Sequence, residues 1–312
     1  MDKIVTLTLN PSIDKSTSVD SVVPEAKLRC EEPMYEPGGG GINVSRALKK
    51  LGMDSQCVYL SGGYTGVYFD SLIENQGIKN TPLKIKGNTR ENLIVVDKAN
   101  NNQYRFGMEG PLIEEFEWKN CLDQISKFQN IEFLVASGSL PKGVPIDFYA
   151  QVAHVCKKNN IKMVLDTSGD ALKEACDEGI YLLKPNINEL SKLIGVAELQ
   201  IDDVEQKAME MITKGYCEMV VVSLGSQGAF LVSKQKSEKI PAAPVKKLST
   251  VGAGDSMVAG MVFSLALGKS HSEAARYGVS CGTAATMNWG TELCKKEDVE
   301  NLYAWVNKEL NK

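Results

Sequence analysis

The stretch Thr250-Val251-Gly252-Ala253-Gly254-Asp255-Ser256 joins three small residues to a carboxylate immediately ahead of an apolar run from Met257 to Leu267. That run is apolar almost all round, which predicts a buried helix, and Gly268 supplies a C-terminal stop. A buried helix whose first turn is Gly-Ala-Gly offers unpaired backbone N–H groups with no side chains in the way. Such an end is a site for an anion, favoured by free donors and by the helix dipole. A carboxylate in the same turn serves anion binding poorly. It serves well if a hydroxyl must lose a proton beside a phosphate in transfer, with Asp255 as general base and the Gly252, Ala253 and Gly254 amides stabilising the moving group. The same spacing also fits a tight loop with an acidic first-turn residue, worth a few tenths to roughly 1 kcal/mol.

Four glycines, Gly38 to Gly41, then Ile42-Asn43, lead into a second helical pattern. Glycines there let a ligand approach the backbone, and Asn43 at the helix start can both donate and accept; a flexible loop with an N-cap asparagine is the alternative. Asn10-Pro11-Ser12-Ile13-Asp14 sets a carboxylate just past the first strand, where α/β folds place ligands and where it could grip sugar hydroxyls, or form an ordinary Asx turn. Familiar nucleotide signatures are excluded: Phe263 stands at the first glycine of a P-loop ending in Gly268-Lys269-Ser270, and Asn43 breaks a dinucleotide glycine pattern. The two histidines, His154 and His271, lie in helical settings, the latter behind a Ser270…Glu273 capping box. Acid–base chemistry therefore falls to carboxylates or lysines.

These groups must be positioned by short apolar strands alternating with amphipathic helices. Strands are predicted at 3–9 (the stretch from Met1 to Leu9), 56–61, 132–137, 162–166, 180–184 and 219–224, and helices at 43–51, 114–127, 146–158, 202–214 and 298–310. Unrelieved β-branched runs such as Met219-Val220-Val221-Val222 suit the interior of a mostly parallel sheet covered on both faces, so the rhythm predicts a doubly wound α/β sandwich. Two stretches break it. Residues 14–36 and 90–108 read as a small β-sheet lid inserted twice into a single domain spanning 1–312. Composition is that of a globular chain, 43% hydrophobic and 24% charged, and a net charge of −4 argues against nucleic acid as partner. No apolar run is long enough to span a bilayer, no cleavable leader is evident, and eight cysteines without a Cys-x-x-Cys pair suit reduced thiols, so a cytoplasmic setting is expected.

The glycine-rich segment near residue 40 and the Gly-Ala-Gly-Asp near 254 resemble the two signatures of the ribokinase-like (PfkB) sugar kinases. The likeness extends over essentially the whole chain, through Lys27-Leu28-Arg29-Cys30, Gln103-Tyr104-Arg105-Phe106, Ser137-Gly138-Ser139-Leu140-Pro141, Lys184-Pro185-Asn186 and Val221-Val222-Ser223-Leu224-Gly225, and is strongest toward the ATP-dependent 6-phosphofructokinase branch. The resemblance implies that Asp255 deprotonates a C1 hydroxyl while the Gly252 to Gly254 amides hold the γ-phosphate of ATP. It implies sugar contacts from Asp14, Gly38, Gly39 and Asn43, and contacts to the sugar's existing phosphate from Arg90 and Ser139. Lid residues Lys27, Arg29 and, more weakly, Arg105 would add cations; because lid residues in relatives reach the partner's site, a homodimer is implied. A solvated strand edge is the alternative for Lys27 and Arg29. Lys184, Asn186, Ser223, Gly225 and Gly228 would line the nucleotide site, Asn186 and Glu189 would organise hydrated Mg2+, and the Thr250 and Val251 carbonyls would help hold a monovalent cation such as K+, near Glu292 where relatives carry arginine. Asn-x-x-Glu is also a common helix start. Fructose 6-phosphate is the implied acceptor. Kinases of tagatose 6-phosphate or fructose 1-phosphate carry lysine at the Gly40 position, although Asn10 resembles theirs. A non-catalytic sugar-phosphate sensor is the reading from another class, and it leaves Asp255 without a purpose.

Overall fold

A computed structural model describes residues 3–312; Met1 and Asp2, at the head of the expected first strand, lie outside the described residues. The main sheet has nine strands in the spatial order β5 (Asn80–Ile85), β4 (Gln56–Gly62), β1 (Ile4–Thr8), β8 (Phe133–Ser137), β9 (Lys162–Asp166), β10 (Ile180–Leu183), β11 (Cys217–Ser223), β12 (Ala229–Ser233) and β13 (Ser237–Ile240). Pairing is parallel from β5 through β11 and antiparallel at β11–β12–β13. Both faces are covered, as the continuous apolar runs require. Val5, Leu7, Leu134 and Ala136 join a core that includes α3 (Glu115–Ser126), α4 (Phe148–Lys158), α5 (Gly169–Glu178), α6 (Ile187–Leu193) and α7 (Val204–Thr213). Their strand neighbours Ile4, Phe133 and Val135 point the other way, into a core built with α1 (Gly40–Leu51), α8 (Ala253–Ala266), α9 (His271–Thr286) and α10 (Lys296–Leu310). The remaining helix, α2 (Gly63–Asn75), packs Phe69 and Ile73 against Tyr59 and Ile42 in a third cluster.

From β1 the chain builds outward to β4 and β5, then returns to build from β8 in the opposite direction. Strand order therefore reverses beside β1. The crevice at the carboxyl ends of β1 and β8 is the place where such sheets bind ligands, and it receives Asp14 from one side and Ser139 from the other. A separate four-stranded sheet, in the order β3 (Met34–Gly38), β2 (Ser12–Val19), β6 (Arg90–Asp97), β7 (Asn102–Phe106), is assembled from the two stretches that break the rhythm. Its β2–β6 pairing is parallel and its outer pairings are antiparallel.

Three sequence expectations need correction. Helix α1 begins at Gly40 rather than Asn43, with Gly39 at φ 119° as N-cap, so Asn43 caps nothing. Asp14 sits within β2, paired opposite Glu36 and Asn92, rather than in a turn. Lys27 and Arg29 lie on the exposed connection between β2 and β3, off any strand edge. Periodicity also passed over α2, β5, α5, β12 and β13, which are short or weakly patterned. Among the described residues no helix is long and apolar enough to cross a membrane. All eight cysteines are free, seven of them buried and Cys30 exposed.

Candidate active site

The loop before α8 turns through Gly252 at φ 69°, a left-handed conformation that glycine adopts without strain, and a Cβ there would also run into Leu293. The first full helical bond runs from Ser256 N to Gly252 O at 2.8 Å, so the Gly254 and Asp255 amides precede the helix's own acceptors. Asp255 opens onto a cleft of about 280 Å³ shared with Gly39, Gly40, Asn43, Ser139, Asp166 and Glu189. One edge of the residue faces the cleft while its carboxyl is surrounded by protein. Burial, then the neighbouring Asp166 carboxylate, pushes the Asp255 pKa up to about 6, against the opposing pull of Asn43 and Lys184. A carboxylate so tuned is a competent base near neutral pH.

Asn43 Nδ2 donates to Asp255 Oδ2 at 2.9 Å, which joins the glycine-rich segment to the Gly-Ala-Gly-Asp turn across 212 residues. Asp14 is half-buried between Ser12 Oγ, which donates at 2.8 Å, and Asn92 Nδ2, which donates at 3.0 Å. Burial raises its pKa, with those hydrogen bonds and then Arg90 and Arg46 opposing. Arg90 donates to the Met108 carbonyl at 2.9 Å and to the Asn10 carbonyl at 3.0 Å; its Nε is buried with no partner among the described residues. Asn10 Nδ2 in turn reaches Ser139 Oγ at 3.1 Å. Gly39, Asn43 and Ser139 line the cleft with Asp255, whereas Arg90 lines another cavity with Asn92 and is linked to Ser139 through Asn10, and Gly38 lies against Asp14. A Cβ at Gly38 would overlap Asp14 Oδ2. Gly38→Ala is therefore expected to displace that carboxylate and raise the sugar KM by about tenfold or more, with the KM for ATP within about twofold. Equal changes in both constants, measured by steady-state kinetics, would remove Asp14 from the sugar side.

Opposite this wall, Lys184 is 6% exposed and its Nζ lies 3.3 Å from Asp166 Oδ1. Burial alone would depress its pKa; Asp166, then Glu189 and Asp255, outweigh that and hold the ammonium protonated. A Cβ at Gly254 would sit 3.4 Å from the same Nζ, so the cation stands beside the free helix amides. Asn186 and Glu189 form a reciprocal capping box at α6, with both bonds at 2.9 Å, so the helix-start reading of that motif holds; Glu189 nevertheless lines the cleft. Asn186 also bridges to Ser223, whose amide donates to the Pro185 carbonyl at 2.9 Å. Beyond it Gly225 and Gly228 turn at φ 61° and 93°. Thr250 and Val251 form the turn into α8, tied by Ser249 Oγ to Gly290 and to the Val251 amide.

Three expected cations stay outside. Lys27 and Arg29 are exposed and make no hydrogen bond or ion pair among the described residues, and Arg105 is held by Gln103 on exposed β7. Conversely, Asp166, Asn92 and the buried Arg46 were not anticipated. Asp166 ends a parallel strand, the same signal that singled out Asp14. Arg46 stands three residues after Asn43, a spacing that stacks both on one helix face.

The sequence profile of the pfkB family carbohydrate kinases matches residues 7–298. The ATP-dependent 6-phosphofructokinase isozyme 2 of Escherichia coli (strain K12) is 42% identical over 309 residues, covering 99% of this chain and 100% of that protein. The crystal structure of Escherichia coli phosphofructokinase-2 in complex with potassium superposes with a TM-score of 0.95 at 42% identity, covering 98% of this chain and 100% of the other. The same enzyme in complex with fructose-6-phosphate gives 0.93 at 40% identity, again over 98% and 100%.

Proposed function

The chain belongs to the pfkB family of carbohydrate kinases, and from that membership we propose that it transfers the γ-phosphoryl group of ATP to the C1 hydroxyl of fructose 6-phosphate, giving fructose 1,6-bisphosphate. The observation that supports this reading best is the Asn43–Asp255 contact, which joins the glycine-rich segment to a half-buried carboxylate beside the free helix amides. Asp255 accepts the C1 proton as the C1 oxygen forms its bond to the γ-phosphorus and the bridge to ADP breaks. The Gly252 and Gly254 amides and the Lys184 ammonium meet the charge on the transferring group, whereas the expected Ala253 amide is already directed to the Thr250 carbonyl at 3.4 Å. Asp14, Gly38, Gly39 and Asn43 hold the sugar, Arg90 and Ser139 its phosphate, and Lys184, Asn186, Ser223, Gly225 and Gly228 the nucleotide.

The donor set fits Mg2+. The Asp166 and Glu189 carboxylates line one cleft, and as hard oxygen donors they would hold an ion that keeps its waters. Bound there with ATP, the ion would neutralise phosphate charge. The Thr250 and Val251 carbonyls would serve K+ through the same hard-donor chemistry.

The small sheet serves as a lid and a dimer contact. Met34, Tyr104 and Phe106 are exposed on it, and a second copy covering them would bring Lys27, Arg29 and Arg105 toward its neighbour's sugar phosphate. A dimer is expected in sedimentation at assay concentration, and a fully active monomer would dismiss this arrangement. The eight free cysteines, seven of them buried, support a reducing, cytoplasmic setting. ADP release measured with fructose 6-phosphate, tagatose 6-phosphate and fructose 1-phosphate tests the assigned acceptor. The first should have the highest kcat/KM, and a roughly hundredfold preference for tagatose 6-phosphate overturns the assignment.

A further inference from the structure

Arg46 is 4% exposed and spends its guanidinium on four acceptors: Gln76 Oε1 at 2.9 Å, the Pro37 carbonyl at 3.2 Å, Glu36 Oε1 at 2.6 Å and Asn43 Oδ1 at 3.1 Å. Glu36 is held from its other oxygen by the Thr291 hydroxyl. A buried ion pair of this kind is seldom retained for stability, since desolvation offsets most of its attraction and apolar replacements often fold as well. Its geometry serves orientation instead. Guanidinium has donors only, so Asn43 can meet it through the amide oxygen alone. That fixes the amide nitrogen on the far side, where it donates to Asp255 Oδ2. An amide turned over would set nitrogen against guanidinium and oxygen against carboxylate, two unfavourable contacts.

We propose that Arg46, anchored by Glu36, is a positioning residue for phosphoryl transfer: it holds the Asn43 amide so that its N–H engages one oxygen of Asp255 and leaves the other for the sugar hydroxyl. This rests on Asp255 being the base.

Arg46 acts through Asn43, so its effect must vanish when Asn43 is gone. Asp255 is also faced by Asp166 from β9, Lys184 after β10, Asp14 from β2 and, across the cleft, Glu189 from α6; Arg46 is faced by Glu36, Asp14 and Lys50. A general electrostatic effect through Asp14 would appear in sugar KM alone; one through Asn43, which also touches the sugar, appears chiefly in kcat with a smaller rise in sugar KM. The test uses the full-length enzyme with fructose 6-phosphate and MgATP. Arg46→Met is paired with Glu36→Gln, so that no lone carboxylate is left buried, and melting temperature identifies folded variants. The pair should lower kcat by about tenfold or more, with a rise in sugar KM smaller than the fall in kcat, and should shift the acid limb of kcat/KM to higher pH, because a donor to the ionised base is loosened. Placed on Asn43→Ala it should cost less than about twofold further, and Arg46→Lys should recover part of the loss. Equal losses with and without Asn43, an unmoved acid limb, or a loss confined to KM overturns the proposal. If the double variant does not fold, the same comparison with Arg46→Lys decides it. Asp255→Asn in the same assay separates failures: an active Asp255→Asn enzyme refutes the base, whereas additivity beside an inactive one refutes only Arg46.

Discussion

Asp255→Asn is expected to lower kcat by about 10²–10⁴-fold while the sugar KM changes by no more than about threefold, because a general base contributes to the transition state and little to ground-state binding. The wild-type enzyme should show an acid limb in kcat/KM near the Asp255 pKa of about 6, with rate falling about tenfold per pH unit below it as the base is protonated. Stability should run the other way. The folded pKa lies above the ordinary value of 3.8, so this side chain's contribution is complete below about pH 4 and is lost as pH rises through about 6. Removing the charge should therefore raise stability at pH 8 by on the order of 1–2 kcal/mol once solvent at the cleft face is allowed for, seen as a higher melting temperature, and the gap should close toward pH 4. A variant that turns over at the wild-type rate would show that Asp255 is not the base, and one that melts lower at pH 8 would show that its charge does not cost the fold stability.

The legible part of this site was whatever local chemistry marks. Gly-Ala-Gly-Asp before an apolar helix and the glycines before α1 announced themselves because backbone approach and free amides demand small residues at fixed places. The long apolar strands gave the sandwich, since only a doubly covered sheet buries them. What escaped was set by tertiary contact. Asn43 looked like a cap because its partner, Asp255, lies far along the chain, and no local spacing reveals a 2.9 Å bond across 212 residues. Nothing local in the sequence marks Arg46; only Glu36, brought alongside by β3, makes its burial intelligible. Lys27 and Arg29 illustrate the converse: their residue types suit a phosphate, yet within one chain nothing brings them to it.

Lys184→Met should be the more damaging change to the fold. The ammonium is almost wholly buried and answers Asp166, Glu189 and Asp255 together, so its loss leaves carboxylates facing one another without a counter-ion. Breaking a buried pair from one side costs about 3–5 kcal/mol, and a large fall in melting temperature is expected. Activity should suffer twice. The helix amides lose the cation beside Gly254, and the pull that Lys184 exerts on the Asp255 pKa disappears, so the acid limb should move to higher pH. Adding Asp166→Asn tests which effect is which. Neutralising that carboxylate relieves the charge imbalance, so the double variant should regain most of the melting temperature, yet turnover should stay low, because no ammonium meets the transferring group and a carboxylate that would hold Mg2+ is also gone. Recovery of both together would reduce Lys184 to a structural counter-ion. A single variant with an unchanged melting temperature and acid limb would mean that the three carboxylates never depended on it.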